Sequence, residues 1–388
     1  MTSDYYFHIN DISISFYRIA KTKFIKQYEE RFDVMKKKIT LLFILLIAVL
    51  LFCMCGVNND KSLKKEKLSS YDETINLHTL NYNEESKIYD EDYQKNLYNQ
   101  INNLKKAQEF TLTDPLVIIN PFQTNTLGIY VYFETENKSH VEYSIHVDDE
   151  ISDFINILNN GEKNNLTKKH EYVLIGGVAG KENTVTLNLY DENSELFATK
   201  NFKVTLPELD PGSDYILKKE TGPSNEALSD GLFATLGHIN NENSNSNTYY
   251  YDNDGVCRAQ IKLDDYRVDR IVIDNGLMYM SVDKSKIAAV NRLGYVEKVY
   301  DLGKYEMHHD YILDSKGNLI ILVSDTEKDS VEDIVITLNL KDKKIKQIID
   351  LGDLLPSIKE KAVFTEGKEK LDWVHVNSLS LVNDTTLC

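Results

Sequence analysis

Short stretches in which apolar and polar residues alternate recur along this chain after residue 110, and they constrain its fold more than any other feature. Alternation with a period of two is typical of half-buried β-strands, and Asn, Asp and Gly turns separate the stretches. Within the first hundred residues of this region the strands are predicted at 128–134, 141–147, 171–175, 184–190 and 197–206. This spacing predicts an antiparallel β-sandwich over residues 110–206.

The same pattern continues after residue 249. Further strands are predicted at 271–273, 277–282, 287–291, 295–301, 311–313, 319–323, 334–340 and 345–350. Asn275-Gly276 is a turn of the kind that joins antiparallel strands. A meander that repeats every 40 to 50 residues or so is typical of propeller blades, and residues 249–388 supply only about three blades. The predicted fold is therefore all-β, with a β-sandwich followed by an incomplete β-propeller.

The start of the chain carries a separate signal for the membrane. Residues 39–56 contain no charged side chain and follow three lysines, and as a helix they span about 27 Å, close to the thickness of the hydrocarbon core. Because lysines stay on the cytoplasmic side, we expect a single-pass cell-membrane protein whose main body is extracellular. Residues 35–56 are read as a transmembrane anchor, with a cleaved or lipidated signal segment as the alternative. Residues 1–34 are read as a spurious N-terminal extension.

Two connecting segments complete the predicted organisation. Residues 57–109 are polar and are predicted to form a stalk with one short helix. The helix is predicted from apolar residues at spacings of four, four and three: Tyr93, Leu97, Ile101 and Leu104. Residues 207–248 contain Pro, Gly and an Asn/Ser run, which predicts a linker.

Composition excludes several classes of partner. The chain carries 61 acidic and 44 basic residues, a net charge of -17, which repels the nucleic-acid backbone. The four cysteines follow no disulfide or zinc pattern. Asp252 and Asp254 resemble the start of a calcium loop, but Leu263 stands at the twelfth position where a glutamate is needed, so the segment is read as a turn. The sequence predicts no nucleic-acid partner, no cofactor and no metal.

Three polar motifs stand out between the strands. They are Asp252-Asn253-Asp254-Gly255-Val256-Cys257-Arg258, Met307-His308-His309-Asp310 and Asp372-Trp373-Val374-His375-Val376-Asn377-Ser378. Imidazole titrates near neutral pH, so histidines that meet in a polar pocket can donate and accept protons. Taken singly, a histidine pair is more often a surface feature and Asp-Trp a packing motif. The order of all three motifs carries more information than any one of them.

In this order the motifs resemble those of the bacterial aryl-sulfate sulfotransferase family, and residues 120–122 and 170–177 resemble the N-terminal domain of the same family more loosely. The resemblance implies a six-bladed propeller with the active site in its central channel, and transfer through a sulfated histidine without a nucleotide donor. It places His375 in that channel together with His308 or His309. Because neighbouring strand residues point to opposite faces, only one of the pair is expected to face the channel, and His309 is favoured.

The resemblance implies an enzyme that transfers a sulfuryl group from a phenolic sulfate ester to a phenol. The arginine and the sulfated histidine of the family would follow Cys388, so the chain resembles a member truncated within its catalytic domain and is expected to be inactive as such. Ala259 departs from the pattern, which has tryptophan after the arginine.

Two alternatives to an enzyme stay open. One is a membrane-anchored extracellular β-sandwich and propeller that binds a ligand or partner without catalysis, and the other is a frameshift product without stable function. Histidines that converge with an arginine favour the enzyme, whereas a flat or aromatic-lined face favours the binding protein. Formation of a homodimer is also left open.

Overall fold

β-Strands dominate the part of the chain that the structure describes. The computed structural model describes residues 69–71, 75–82, 88–158, 165–210, 216–217, 231–236, 247–263, 266–382 and 386–388. All of them belong to residues 68–388, one of the two units into which the chain divides. The predicted membrane segment 39–56 and residues 1–34 lie outside the described residues. Among the helices that are described, none has the length and apolarity needed to cross a membrane.

The first eight strands build a β-sandwich. They are β1 (Ser69–Tyr71), β2 (Leu77–His78), β3 (Leu116–Ile119), β4 (Ile129–His146), β5 (Phe154–Ile157), β6 (Thr167–Leu174), β7 (Glu182–Tyr190) and β8 (Leu196–Thr205). Their order is β1-β8-β7-β4-β3-β2, and β5 and β6 also pair with β4. Strands β1 and β2 lie where a stalk was predicted, and each pairs in parallel with a strand of the sandwich. An edge strand has unpaired backbone N–H and C=O groups. Short polar segments such as β1 and β2 become ordered by hydrogen bonding to these groups on β8 and β3.

Strand β4 connects the two layers of the sandwich. Two separate strands were predicted at 128–134 and 141–147, but β4 is continuous. Its first half pairs with β3 and β6 and its second half with β5 and β7. The pairing with β6 changes register between Glu134 and Ser139, and the polar residues around this change are mostly exposed. The strand therefore passes from one layer to the other without the turn that its polar middle suggested.

The inward-facing residues of both layers form one core. Its fully or almost fully buried members include Val131, Phe133, Val141, Tyr143, Val185, Leu187 and Phe202. They occupy alternate positions along their strands, as a sheet that buries one face requires. The alternation in the sequence thus identified the core of this region correctly.

The predicted helix is present as α1 (Glu91–Ala107), and it joins the sandwich to later strands. The Asp90 side chain caps its N-terminus by accepting a hydrogen bond from the Tyr93 backbone at 2.8 Å. Gln94 is fully buried and donates from Nε2 to the Phe122 carbonyl at 2.9 Å. Its Oε1 accepts from the Val296 backbone at 3.3 Å. The helix is therefore part of the packed structure and not a free spacer.

A small sheet follows the sandwich. It contains β9 (Phe233–Thr235), β10 (Asn247–Tyr251) and β11 (Cys257–Lys262), in the order β11-β10-β9. Ala259, which stands where the family resemblance led us to expect tryptophan, is buried in β11.

Arg258 connects this sheet to the sandwich. Its side chain is only 1% exposed and forms an ion pair with Asp252, with 2.6 Å between Nε and Oδ2. It also donates to the carbonyl oxygens of Gly176 at 2.8 Å and Ser152 at 2.7 Å. The first of the three sequence motifs is therefore used for packing between the sandwich and β11.

Two four-stranded antiparallel sheets come next, each with its strands in chain order. The first contains β12 (Ile271–Asp274), β13 (Leu277–Asp283), β14 (Lys286–Val290) and β15 (Val296–Asp301), and the second contains β16 (Tyr305–Leu313), β17 (Asn318–Asp325), β18 (Ile334–Asn339) and β19 (Ile345–Asp350). Asn275 and Gly276 both have positive φ, 47° and 79°, as the predicted hairpin turn requires. These meanders have the form predicted for blades. The described strands do not close into a ring, so the incomplete propeller remains a prediction.

The last described elements are short. They are α2 (Leu351–Leu354), α3 (Pro356–Lys359), β20 (Leu381–Val382) and β21 (Thr386–Leu387). The irregular segment between α3 and β20 returns to the second sheet: the Val331 backbone donates to Leu371 at 3.0 Å, and the Leu379 backbone donates to the Asp310 carboxylate at 2.7 Å. This return places the third sequence motif beside β16.

Candidate active site

An irregularity in β16 determines how the histidine pair is presented. In the ladder with β17, Met307 pairs with Val323 and the next pair is Tyr311 with Ile321. Residues 308–310 therefore lie opposite a single residue of β17, which is a β-bulge. His309 has a φ of 54°, in the left-handed region. Bulges redirect side chains and often occur beside active sites.

Only one histidine of the pair was expected in the site, because neighbouring residues of a regular strand point to opposite faces. The bulge interrupts this alternation. Alternation along a regular strand would separate the two rings, yet the rings of His308 and His309 have centroids 5.4 Å apart and contact edge to face. His308 is buried, at 4% exposure, while the side chain of His309 is 28% exposed. The two histidines thus lie at the inner and outer side of one cluster.

Glu332, in the loop between β17 and β18, lies between the histidine motifs. Its Oε2 atom is 3.7 Å from Nε2 of His309 and 2.8 Å from Nδ1 of His375. The Ser324 hydroxyl accepts a hydrogen bond from the Glu332 backbone at 2.9 Å, and Glu332 has a φ of 60°. Sequence reasoning missed this residue, because one glutamate in an acidic chain gives no local signal.

The tryptophan motif delivers His375 to the same place. Trp373 donates from Nε1 to the carboxylate of Asp333 at 2.9 Å, and Asp333 is only 1% exposed. His375 has a φ of 44°, and its Nδ1 is 2.7 Å from Oδ2 of Asp372. The rings of His375 and His309 have centroids 5.3 Å apart. Trp373 therefore anchors the segment on which His375 is presented.

His309, Glu332 and His375 share an uncommon backbone conformation. All three have φ between 44° and 60°, where residues other than glycine are rare. Such residues are strained and tend to cluster at functional sites. The convergence of three of them on one cluster supports a functional role for it.

The two histidine motifs place their rings in different environments. The hydrogen bond that His375 donates to Asp372, together with the charge of Glu332, raises the pKa of His375 above its usual value. Burial first, and then the neighbouring His309 and Arg267, lower the pKa of His308 to about 3. At neutral pH the ring of His308 is therefore uncharged.

Two arginines lie near the cluster, although the sequence had indicated an arginine only beyond Cys388. Arg267 is paired with Asp269 at 2.9 Å and is close enough for its charge to act on His308. Arg270 is paired with Asp310 at 2.9 Å. Neither residue follows a recognisable motif, because both reach the site from the segment before β12.

Within the part of the chain that the structure describes, two overlapping groups of side chains have ligand atoms close enough together to hold a metal ion. They are His308, His309 and Glu332, and Glu332, Asp372 and His375. The sequence predicted no metal site because these residues lie far apart along the chain. Spacing rules recognise ligands within one short segment, and here loops bring them together.

A cavity of about 1280 Å³ lies elsewhere. It is formed between β5 and β6 of the sandwich and the hairpins of the first four-stranded sheet, with Glu171, Arg292 and Glu297 among its lining residues. None of the cluster residues lines it. The chemistry-bearing side chains, and not the volume of this cleft, identify the candidate site.

Comparison with known proteins assigns both structural regions. The model of the arylsulfotransferase Ig-like domain matches residues 116–207, and the arylsulfotransferase (ASST) model matches residues 217–387. The second match contains all three predicted site histidines. No curated protein matches the chain.

Two solved structures are similar to the chain at low level. One is a protein of unknown function from Bacteroides caccae, with 13% identity, 54% of this chain and 73% of that chain covered, and a TM-score of 0.22. The other is Porphyromonas gingivalis dipeptidyl peptidase 4, with 13% identity, coverage of 58% and 29%, and a TM-score of 0.24. TM-scores this low carry no argument about fold or function. The two domain matches, in the family's order and with the motifs in place, show that the chain belongs to the arylsulfotransferase family.

Proposed function

We propose that this protein binds a phenolic sulfate ester at the cluster of His308, His309 and His375, the site at which a sulfotransferase of its family would pass the sulfuryl group to a phenol. The observation that carries the proposal is the convergence of two distant histidine motifs within the region that matches the arylsulfotransferase model. Family membership supports the reaction class, and the geometry supports the choice of residues.

The chemistry requires charge neutralisation and two proton movements. The acceptor phenol gives its proton to a base as its oxygen forms a bond to sulfur, the bond from sulfur to the donor phenol breaks, and its electron pair leaves on the phenolate, which takes up a proton. In the two-step form a histidine nitrogen first takes the sulfuryl group and a second phenol then receives it. His375, whose pKa is raised by its hydrogen bond to Asp372 and by the charge of Glu332, suits the sulfonyl and leaving oxygens.

His309 suits the proton transfer to and from the phenols. Its ring is partly exposed, so a substrate can reach it, and Oε2 of Glu332 lies 3.7 Å from its Nε2. Arg267 adds positive charge beside His308, which offsets part of the negative charge of the two carboxylates. The arrangement thus brings two accessible imidazoles, carboxylates and a guanidinium group together.

The described strands leave the cluster open to water, and we propose that the chain as such binds aryl sulfate but turns it over poorly or not at all. The His375 side chain is 49% exposed. Open sites screen charges and admit water, which weakens electrostatic stabilisation of a transition state.

The experiment measures 4-nitrophenyl sulfate binding by calorimetry and phenol-dependent release of 4-nitrophenol by absorbance. We expect His375→Ala to weaken binding at least about 10-fold and to reduce any transfer by about 100-fold, the usual scale for a lost charge-stabilising group. His309→Ala should act in the same direction. His140→Ala, which removes a histidine stacked on Tyr190 in the sandwich, is the matched control and should change neither quantity. Unaltered binding in both cluster variants would remove these histidines from the proposal.

We also propose that residues 39–56 anchor the protein in the cell membrane with residues 57–388 outside. The support is the uncharged segment and the three lysines before it. Protease added to intact cells should then digest the main body. Protection in intact cells, followed by digestion after lysis, would contradict this orientation.

A further inference from the structure

We propose that His308, His309 and Glu332 form a binding site for a divalent transition-metal ion of the zinc class. The ligand atoms of these three side chains all lie within 4.8 Å of one another. Two ligands at about 2.0–2.2 Å from one tetrahedral Zn²⁺ ion lie about 3.3–3.6 Å apart. The 3.7 Å between Nε2 of His309 and Oε2 of Glu332 is close to this separation. The ligand atom of His308 completes the set within 4.8 Å of the other two.

The buried ring of His308 provides independent support. Among the described residues, neither of its ring nitrogens has a hydrogen-bond partner of normal geometry, although the ring is 4% exposed and the backbone of Val323 lies near. Buried polar atoms are almost always partnered, because leaving one unsatisfied is costly. A metal ion is a partner that a neutral imidazole nitrogen can bind through its lone pair. One ring nitrogen of His308 lies within 4.8 Å of the ligand atoms of His309 and Glu332.

Glu332 also has a buried polar atom without a hydrogen-bond partner among the described residues. Its Oε2 atom makes no hydrogen bond of normal geometry, even though the His375 ring is 2.8 Å away. A carboxylate oxygen and two imidazole nitrogens form a ligand set that suits Zn²⁺ and its first-row relatives. Mg²⁺ and Ca²⁺ prefer oxygen ligands alone, so this set discriminates against them.

The second candidate group is less suited to be the primary site. In it the ring of His375 is already hydrogen-bonded to Asp372 at 2.7 Å and is half exposed. Binding a metal there would first break that bond. His375 instead lies on the open side of the proposed site, where it or a water molecule can supply a fourth ligand.

The inference does not rest on the proposed sulfuryl transfer, because metal binding is measured without substrate. The two uses of the cluster do share His309. A bound metal ion would occupy the lone pair that proton transfer needs, so the ion and the aryl sulfate should compete.

The test uses the full chain, freed of metal with a chelator that is then removed. Zn²⁺ is titrated by calorimetry and Co²⁺ by visible absorption, which reports nitrogen and oxygen ligands on the ion itself. We expect one ion per chain, a visible Co²⁺ spectrum and no binding of Mg²⁺. Glu332→Gln and His308→Leu should each weaken Zn²⁺ binding at least about 10-fold and abolish the Co²⁺ spectrum.

Two controls keep the result interpretable. His140→Ala should bind Zn²⁺ like the wild-type chain, and thermal unfolding without metal should show that both cluster variants are folded. The proposal is overturned if the Co²⁺ spectrum is absent from the wild-type chain, or if it persists unchanged in both cluster variants.

Discussion

The sandwich and the histidine cluster each contain one buried histidine, and the two differ in their partners. His170 in β6 is fully buried, with Nε2 3.1 Å from the Ser139 hydroxyl, Nδ1 3.4 Å from the Tyr172 hydroxyl and its ring stacked on Phe133 at 4.6 Å. His308 is 4% exposed, and among the described residues neither of its ring nitrogens has a hydrogen-bond partner of normal geometry. Burial lowers the pKa of His170 to about 4 and that of His308 to about 3.

The presence or absence of hydrogen-bond partners distinguishes a buried histidine that packs the core from one with a functional role better than burial or pKa does. A buried ring with partners on both nitrogens completes a core, and nothing is left for a ligand to satisfy. A buried ring without partners is tolerated in a folded protein mainly where an absent group completes it. The sequence could not distinguish the two, because both histidines lie in strands.

The largest expected effect tests whether Arg258, in the first sequence motif, has a packing role and not a ligand-binding one. Arg258→Ala leaves the carboxylate of Asp252 and two carbonyl oxygens without their buried partner. We expect the free energy of unfolding to fall by about 3–5 kcal/mol in urea denaturation. Lys169→Ala, which removes an exposed ion pair with Glu134, is the control and should cost less than about 1 kcal/mol. Equal losses in the two variants would contradict the packing role.

We expect His170 to cause much of the loss of folding stability that the sandwich shows at acid pH. Its folded pKa of about 4 is below the ordinary value of 6.5, so below that value the unfolded chain binds a proton that the folded protein does not. Stability is therefore lost as pH falls from 6.5 toward 4. Between pH 7 and pH 4 the wild-type protein should lose about 3 kcal/mol more than His170→Leu does. Parallel losses in both proteins would show that His170 titrates normally.

Replacing each buried histidine with leucine sharpens the comparison directly. His170→Leu leaves the hydroxyl groups of Ser139 and Tyr172 without their hydrogen-bond partner. At pH 7 it should destabilise the protein by about 2 kcal/mol. His308→Leu removes nitrogens that had no partner, so in metal-free buffer it should be neutral or stabilising. Both are measured by urea denaturation. A loss of similar size at His308 would mean that its ring is satisfied after all.

The smallest effect concerns the anchor of the tryptophan motif. Trp373→Phe removes the hydrogen bond to Asp333, which still accepts from the Ser330 hydroxyl at 2.6 Å. We expect a loss of about 1 kcal/mol, followed by circular dichroism because the chain has no other tryptophan. A variant as stable as the wild-type chain would show that other contacts position His375.

Much of the fold followed from local patterns. The period-two alternation predicted the strands of the sandwich and of both four-stranded sheets, and the apolar spacing predicted α1, because each pattern states which side of one element is buried. The motifs also indicated which histidines to examine, and the family matches bear out the resemblance. The continuity of β4 was not predicted, since a polar middle section is indistinguishable from a turn until its pairing partners are known.

The site itself was only partly predictable. His308, His309 and His375 were identified from motifs, but strand alternation could not predict the bulge at which the rings of the first two come into contact. Glu332 and Arg267 carry no local signal, and their roles depend on loops that return to β16.

The alternation of apolar and polar residues and the sequence motifs are properties of residues that are close along the chain. The amino-acid sequence alone therefore determined the strands, the sandwich core and the choice of the three histidines. Tertiary structure decided which polar atoms meet: the bulge that brings His308 and His309 to one cluster, the carboxylate of Glu332 between His309 and His375, and the lack, within the described part of the chain, of a well-aligned hydrogen bond to the buried ring of His308. The physical reason is that hydrogen bonds and ion pairs depend on distances of a few ångströms between residues far apart along the chain.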